Sequence, residues 1–100
     1  MNNALYFYDP NHGGCLRVMY KMNDQDYIIH GAYGSDEGKK GYWCANAKKV
    51  KDFEYKGETY NFIVDFKNKA IKTHKNVYYA CMKSRKINWQ DGNTWLQMYG

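Results

Sequence analysis

Apolar and polar residues alternate along short segments of this chain, and clusters of turn-forming residues separate the segments. In the segment 16–22 the even positions hold Leu, Val, Tyr and Met, whereas Arg17, Met19 and Lys21 occupy the odd positions. In the segment 60–66 the even positions hold Tyr, Phe, Val and Phe. A period of two is typical of β-strands with two different faces, so the pattern predicts strands rather than helices.

Turn signals recur roughly every eight to twelve residues, as in all-β domains. The strongest is the run Asp-Pro-Asn-His-Gly-Gly at 9–14, because Pro and Gly both interrupt regular structure. Gly57 is expected at the tight position of a hairpin. The pair Asp91-Gly92 predicts a type I′ turn, in which both central residues have a positive φ.

The segments predict eight or nine short strands, including separate strands at 53–55 and 70–73. No rhythm of alternating strands and helices is present, which argues against an α/β fold. We therefore expect a single all-β domain over residues 1–100, a small antiparallel meander closed into a barrel or a two-layer sandwich. A chain of this length forms one modest core.

Residues 43–50 are the ambiguous part of this prediction. Trp43, Ala47 and Val50 are spaced as on one face of an amphipathic helix, whereas Trp43 and Ala45 equally fit one face of a strand. We expect at most one short helix, near 43–50.

The composition adds an expectation about location. The N-terminus lacks a basic segment followed by an apolar one, and no apolar run approaches the roughly 18 residues needed to span a bilayer. Cys15, Cys44 and Cys81 are odd in number and widely spaced, a poor basis for a disulfide framework or a zinc site. We therefore expect a non-secreted, cytoplasmic protein with reduced thiols, no membrane span, no metal and no cofactor.

Charge and aromatic residues indicate the candidate binding residues. Residues 1–37 carry two basic against five acidic groups, a net −3, and residues 38–100 carry thirteen against five, a net +8. Eleven tyrosines raise the aromatic content to 18%. Tyrosine and basic side chains together can bind protein partners or stack on bases while neutralising phosphates. The candidate binding residues are Tyr78, Tyr79, Lys83, Arg85 and Lys86.

Three histidines leave a catalytic alternative open. His12, His30 and His74, with Glu37 and Arg85, could supply the acid, the base and the cation of a ribonuclease-like enzyme. That chemistry requires these groups to lie within a few ångströms of one another, and nothing in their spacing indicates that they converge.

The last segment of the chain is the one part that resembles sequences of known proteins. Residues 87–95, Ile-Asn-Trp-Gln-Asp-Gly-Asn-Thr-Trp, resemble a C-terminal hairpin found in small all-β proteins of uncharacterised function, including proteins of large DNA viruses of algae and protists. The resemblance covers about a tenth of the chain and departs from that pattern at Leu96-Gln97, where a basic residue is usual. It implies an all-β fold and a minor virion or capsid-associated component. Ile87, Trp89 and Trp95 are expected in the core.

The leading hypothesis for function is a non-catalytic structural or protein-interaction module. Its partner would be another protein or a second copy of the chain. The first alternative is a small basic barrel that binds nucleic acid through the C-terminal two-thirds of the chain. The presence of only two arginines, Arg17 and Arg85, weighs against base-specific recognition. A ribonuclease-like enzyme is the more distant alternative.

Overall fold

The computed structural model describes residues 3–12, 15–32, 42–66 and 77–98, with the side chains of His12 and Cys15 left aside. These ranges contain eight strands and one 3-10 turn at Pro10–His12. The strands are β1 (Ala4–Asp9), β2 (Cys15–Lys21), β3 (Asp26–Ala32), β4 (Tyr42–Tyr55), β5 (Glu58–Asp65), β6 (Val77–Lys83), β7 (Lys86–Trp89) and β8 (Thr94–Met98).

The strands form a closed antiparallel barrel. Each strand pairs with the next along the chain, and β8 returns to pair with β1, with Tyr6 opposite Met98 and Tyr8 opposite Leu96. Closure gives every strand two neighbours along at least part of its length, so none of the described strands is an edge strand throughout. The predicted all-β meander is confirmed, in its barrel form.

Residues 43–50 lie within the long strand β4. Trp43, Ala45 and Ala47 are buried in alternation, which is the period of a strand. The predicted separate strand at 53–55 is wrong, because this segment continues β4 beyond a register shift between Lys49 and Phe53. Such a bulge bends a strand without ending it. The strand expected at 70–73 lies outside the described residues.

The hairpin turns agree with the sequence in one case and differ in another. Lys56 and Gly57 have φ values of 52° and 82°, as a two-residue type I′ turn requires. At the closing hairpin only Gly92 has a positive φ, 92°. Trp89 N–H donates to the Asn93 carbonyl at 2.8 Å, and Gly92 N–H donates to the Trp89 carbonyl at 2.9 Å. The predicted type I′ turn is therefore wrong; a three-residue turn with a glycine bulge replaces it.

The core consists of one cluster of inward side chains rich in aromatic rings. The rings of Trp89 and Trp95 are 4.6 Å apart between centroids, and Ile87 lies opposite Trp95 in the ladder. The prediction that Ile87, Trp89 and Trp95 belong to the core is confirmed. The buried residues of this cluster are Phe7, Met19, Tyr27, Ile29, Trp43, Ala45, Ala47, Phe62, Val64, Phe66, Ala80, Ile87, Trp89 and Trp95.

The two ends of the barrel differ. At one end β1, β3, β5 and β7 finish and β2, β4, β6 and β8 begin. Trp43, Trp89 and Trp95 all lie within two residues of these strand ends, and we call this the tryptophan end. The opposite end carries the short turns at 22–25, 56–57 and 84–85.

Candidate functional site

A carboxylate and a guanidinium are enclosed at the tryptophan end. Asp9, the last residue of β1, and Arg17 of β2 are each 1% exposed. An Arg17 guanidinium nitrogen lies 3.8 Å from the Asp9 carboxylate. Another Arg17 nitrogen donates to the Ala32 carbonyl of β3 at 2.9 Å. Buried charges require this kind of pairing, because a lone ion inside a protein loses its hydration without compensation.

The Asp9 carboxylate receives donors from three further groups. One oxygen accepts from Asn11 N–H at 3.0 Å. The other accepts from the Asn93 side-chain amide at 3.0 Å and from the Trp95 indole N–H at 3.2 Å. Asp9 thereby joins β1 to the closing hairpin, so the sequence motif around Trp95 is anchored by a residue 86 positions away.

Aromatic rings complete the surroundings of Arg17. Its guanidinium carbon lies 5.1 Å from the centroid of a Trp43 ring and 5.5 Å from that of Trp95, within the range of cation–π attraction. Gly31 lies between Arg17 and Trp43 in the sheet register. A Cβ at Gly31 would lie 2.6 Å from Trp43 Cε2 and 2.9 Å from Arg17 Cδ. The absence of a side chain at Gly31 therefore leaves the space in which the Arg17 and Trp43 side chains pack together.

This enclosed pair determines which way β2 faces. Successive residues of a strand point to opposite sides, so an inward Arg17 and an inward Met19 force Leu16, Val18 and Tyr20 outward. Because Asp9 and Arg17 are almost fully enclosed, their contacts are with the protein itself. We interpret the Asp9–Arg17 pair as the contact that fixes the orientation of β2 in the barrel wall. The outward side of the wall around β2 is then the candidate functional site.

Apart from the strand-end residues Ala4, Asp26 and Thr94, the outward residues of four neighbouring strands form a surface that we call the outer apolar face, with the charged Asp26 at its border. Leu16 is 47% exposed and Tyr20 is 42% exposed, and the remaining members are half-buried except for the exposed His30. The face consists of Leu96 and Met98 of β8, Tyr6 and Tyr8 of β1, Leu16, Val18 and Tyr20 of β2, and Ile28, His30 and Ala32 of β3.

The ladder register makes this face continuous. Tyr8 lies opposite both Leu16 and Leu96, and Val18 lies opposite both Tyr6 and His30. None of the ten residues is Asp, Glu, Lys or Arg. Exposed apolar surface that is contiguous and rimmed by polar residues marks an interaction site more often than scattered apolar residues do.

The other half of the barrel wall has a different character. Strands β4 to β7 present charged and polar residues to solvent among apolar ones, which include Tyr42, 86% exposed, and Val77, 42% exposed. The polar and charged residues of this wall include Asn46, Lys48, Asn61, Asp65, Lys83, Lys86 and Asn88. What distinguishes the outer apolar face is therefore its lack of charge.

The two predicted binding tyrosines have their rings in different packed environments. Tyr78 packs against the core, with its ring 5.7 Å from that of Phe66. Tyr79 belongs to a second aromatic cluster, in which its ring lies 5.1 Å from Phe53, 5.1 Å from Tyr55 and 5.7 Å from Tyr60.

The three predicted basic contact residues lie together at the opposite end of β6. Lys83 faces Lys86 across the β6–β7 ladder, and Arg85 occupies the turn between them with a φ of 64°. All three side chains are exposed. The structure thus brings Lys83, Arg85 and Lys86 together and places the rings of the two tyrosines away from them.

Of the candidate catalytic residues, His30 and Arg85 have described side chains, and Arg85 lies in the turn between β6 and β7. His30 is exposed on the outer apolar face, and its ring meets that of Tyr20 edge-on at 5.5 Å. The backbone of His12 lies in the 3-10 turn; its side chain, Glu37 and His74 lie outside the described residues. The described residues do not test the convergence of these groups that a ribonuclease-like enzyme would require.

The part of the chain that the structure describes also contains two cysteine thiols. Cys44 and Cys81 are half-buried and form no disulfide bond among the described residues. Within the described ranges, no group of three His, Cys, Asp or Glu residues could hold a metal ion. Among the same residues, no helix is long and apolar enough to cross a membrane.

Comparisons with protein-family models, with curated proteins and with solved structures find no match for this chain. The enclosed Asp9–Arg17 pair and the outer apolar face are both missed by motif-based reasoning. The signal available in the sequence is the absence of charge from every even position between Leu16 and Met22.

Proposed function

We propose that this chain is a protein-interaction module that self-associates through its outer apolar face. The supporting observation is the strand β2, which turns Leu16, Val18 and Tyr20 to the outside while it buries Arg17. Leaving these side chains in water forgoes part of the roughly 1.5–3 kcal/mol that burial of one large apolar side chain provides. A partner that covers the face recovers that free energy.

The charge distribution favours a second copy of the chain as the occupant. A two-fold interface brings the same surface patch of both copies together, so like charges on the patch would repel. The outer apolar face carries no Asp, Glu, Lys or Arg, although the whole chain has a net charge of +5. The same lack of charge gives a charged partner nothing to recognise.

The size of the face predicts a weak association. Four strands about 4.8 Å apart, each about six residues long at about 3.3 Å per residue, cover roughly 400 Å². A standard interface buries roughly 800 Å² on each partner. We therefore expect a dimer that forms at high concentration and dissociates on dilution. In a virion, which the resemblance of the closing hairpin implies, a high local concentration would favour such contacts.

A matched pair of variants tests this proposal by sedimentation equilibrium. Leu16→Glu places a charge on the outer apolar face, and Val77→Glu places the same charge at a position of similar exposure, 42% against 47%, on the other wall. We expect Leu16→Glu to abolish self-association and Val77→Glu to leave it unchanged. A wild-type chain that stays monomeric at high concentration, or equal effects of the two variants, would refute the proposal.

Nucleic-acid binding is the second candidate, and the cluster of Lys83, Arg85 and Lys86 at one turn supports it. Such a cluster would bind phosphates, with an affinity that falls as salt rises. The test is a salt titration of binding to random single-stranded RNA and DNA. Binding at low salt that Lys83→Glu weakens would favour this function; a lack of binding at low salt would eliminate it.

A further inference from the structure

Strands β5 and β6 separate partway along their length, and the side chain of Asn61 holds them apart. Their ladder runs from Asp65 opposite Val77 to Phe62 opposite Ala80. At the next position the Asn61 side chain accepts a hydrogen bond from Met82 N–H at 2.9 Å and donates one to the Met82 carbonyl at 3.2 Å. A side-chain amide thus takes the place of a backbone pair.

A groove of about 520 Å³ opens beyond this point. One wall is the start of β5, with Glu58, Thr59 and Tyr60, and the other includes Asn88 and Gln90. The volume falls in the range of roughly 300–1,000 Å³ that is typical of ligand sites. Glu58 is the sole charged residue among the described residues that line the groove.

Two side-chain amides of the groove have their oxygen atoms already engaged. The Asn88 oxygen accepts from the Thr94 hydroxyl at 3.0 Å, and the Gln90 oxygen accepts from Tyr79 N–H at 3.0 Å. Neither NH₂ group donates to another described residue. Both residues are exposed, so the groove offers two oriented donors that a ligand carbonyl can accept.

The wall formed by β5 also presents an open strand edge. Because Lys56 and Gly57 form a two-residue turn, Tyr55 and Glu58 are the hydrogen-bonded pair that closes it. Backbone groups of successive residues alternate in direction, so the N–H and the carbonyl of Thr59 point away from β4. Among the described residues, β6 does not pair with Thr59. An extended peptide can hydrogen-bond to such an edge.

We propose that the groove binds an extended peptide segment of a partner protein, with a Lys or Arg of that segment beside Glu58. The open edge at Thr59 pairs with the peptide backbone, and the amides of Asn88 and Gln90 donate to its carbonyls. A saccharide fits less well, because Tyr60 and Trp89 are 8% and 6% exposed and leave no ring face for stacking. The site is separate from the outer apolar face.

The experiment uses the isotope-labelled chain and capped seven-residue peptides observed by NMR. The probe is Thr-Val-Thr-Lys-Thr-Val-Thr; its controls replace Lys by Glu, or the two Val residues by Pro to remove backbone donors. We expect the Lys peptide to shift the amide signals of 57–60 and 88–93, and both controls to bind more weakly. Equal binding of the Pro peptide, or no shifts with any peptide, would overturn the proposal.

Protein variants then separate this groove from the outer apolar face. Glu58→Gln should weaken binding of the Lys peptide roughly two- to fivefold, the range of an exposed ion pair. Glu54→Gln, an exposed carboxylate of β4 outside the groove, is the matched control and should leave binding unchanged. Leu16→Glu should also leave it unchanged, even if it abolishes self-association. A shift of the groove amides by maltose in place of peptide would replace the proposal with a saccharide site.

Discussion

Strands β2 and β5 both alternate apolar and polar residues, but β5 buries its more apolar side whereas β2 exposes it. In β5 the apolar residues Phe62 and Val64 are buried, and the polar residue Asp65 lies on the other side. In β2 the charged residue Arg17 is buried and the more apolar side, with Leu16, is exposed. Alternation therefore identifies a strand, but the choice of inward side depends on partners that lie elsewhere in the chain.

The partners of β2 are identifiable. Asp9 supplies the countercharge, Gly31 supplies space, and Trp43 covers the guanidinium. β5 needs none of these, because Phe62 and Val64 are apolar on the inward side. Because β2 turns its charged side inward, its apolar side is exposed to solvent. The proposed self-association would cover that exposed apolar surface.

The largest expected effect is that of Asp9→Ala. The substitution leaves the Arg17 charge buried without its carboxylate and removes the acceptor for Asn93 and Trp95. Loss of one partner of a buried pair costs about 3–5 kcal/mol, measured as the free energy of unfolding in urea. Asp52→Ala, an exposed carboxylate of β4, is the control and should stay within about 0.5 kcal/mol. An equal, small change in both would contradict the interpretation of β2.

An intermediate effect is expected for Gly31→Ala. The added Cβ would overlap the Trp43 ring and press on Arg17, and overpacking of this kind costs about 1–3 kcal/mol. The comparison is with the same substitution in a Trp43→Phe background, where the smaller ring relieves the overlap. The two substitutions should therefore be non-additive in thermal or urea unfolding. Strict additivity would show that Gly31 does not act through Trp43.

The smallest expected effect is the difference in stability between removing one charge of the Asp9–Arg17 pair and removing both. Arg17→Met alone leaves the Asp9 carboxylate buried without its cation. The double variant Asp9→Asn, Arg17→Met keeps an oxygen acceptor for Asn93 and Trp95 and removes both charges. We expect the double variant to be more stable than Arg17→Met by about 1 kcal/mol or more, because removing both charges of a buried pair costs less than removing one. The reverse order of stability would show that Asp9 is held by its other donors alone.

Much of the fold is predictable from the sequence, for local reasons. The turns at Gly57 and Gly92 and the alternation in 60–66 depend on neighbouring residues, and the structure confirms strands on both sides of each turn. Residues 43–50 are ambiguous because Trp43 and Ala47 satisfy both helical and strand spacing. The segment forms a strand because it pairs with β3 on one side and with β5 on the other.

The candidate sites are less predictable, because they depend on which way side chains face. Tyr78 and Tyr79 are adjacent in one strand, so they cannot belong to the same surface, and the half-buried Tyr78 ring packs against Phe66. The pairing of Asp9 with Arg17 requires the contact of β1 with β2 and the arrival of the closing hairpin at Asn93 and Trp95. No local pattern contains that information.

The most direct test of the account is an NMR dilution series of the wild-type chain from millimolar to micromolar concentration, with assigned amide and methyl signals. We expect concentration-dependent shifts confined to β8, β1, β2 and β3, with those of the Leu16 and Val18 methyl groups among the largest. Shifts concentrated on β4 to β7, or spectra that do not change with concentration, would contradict the proposal that the inverted strand β2 presents a self-association surface.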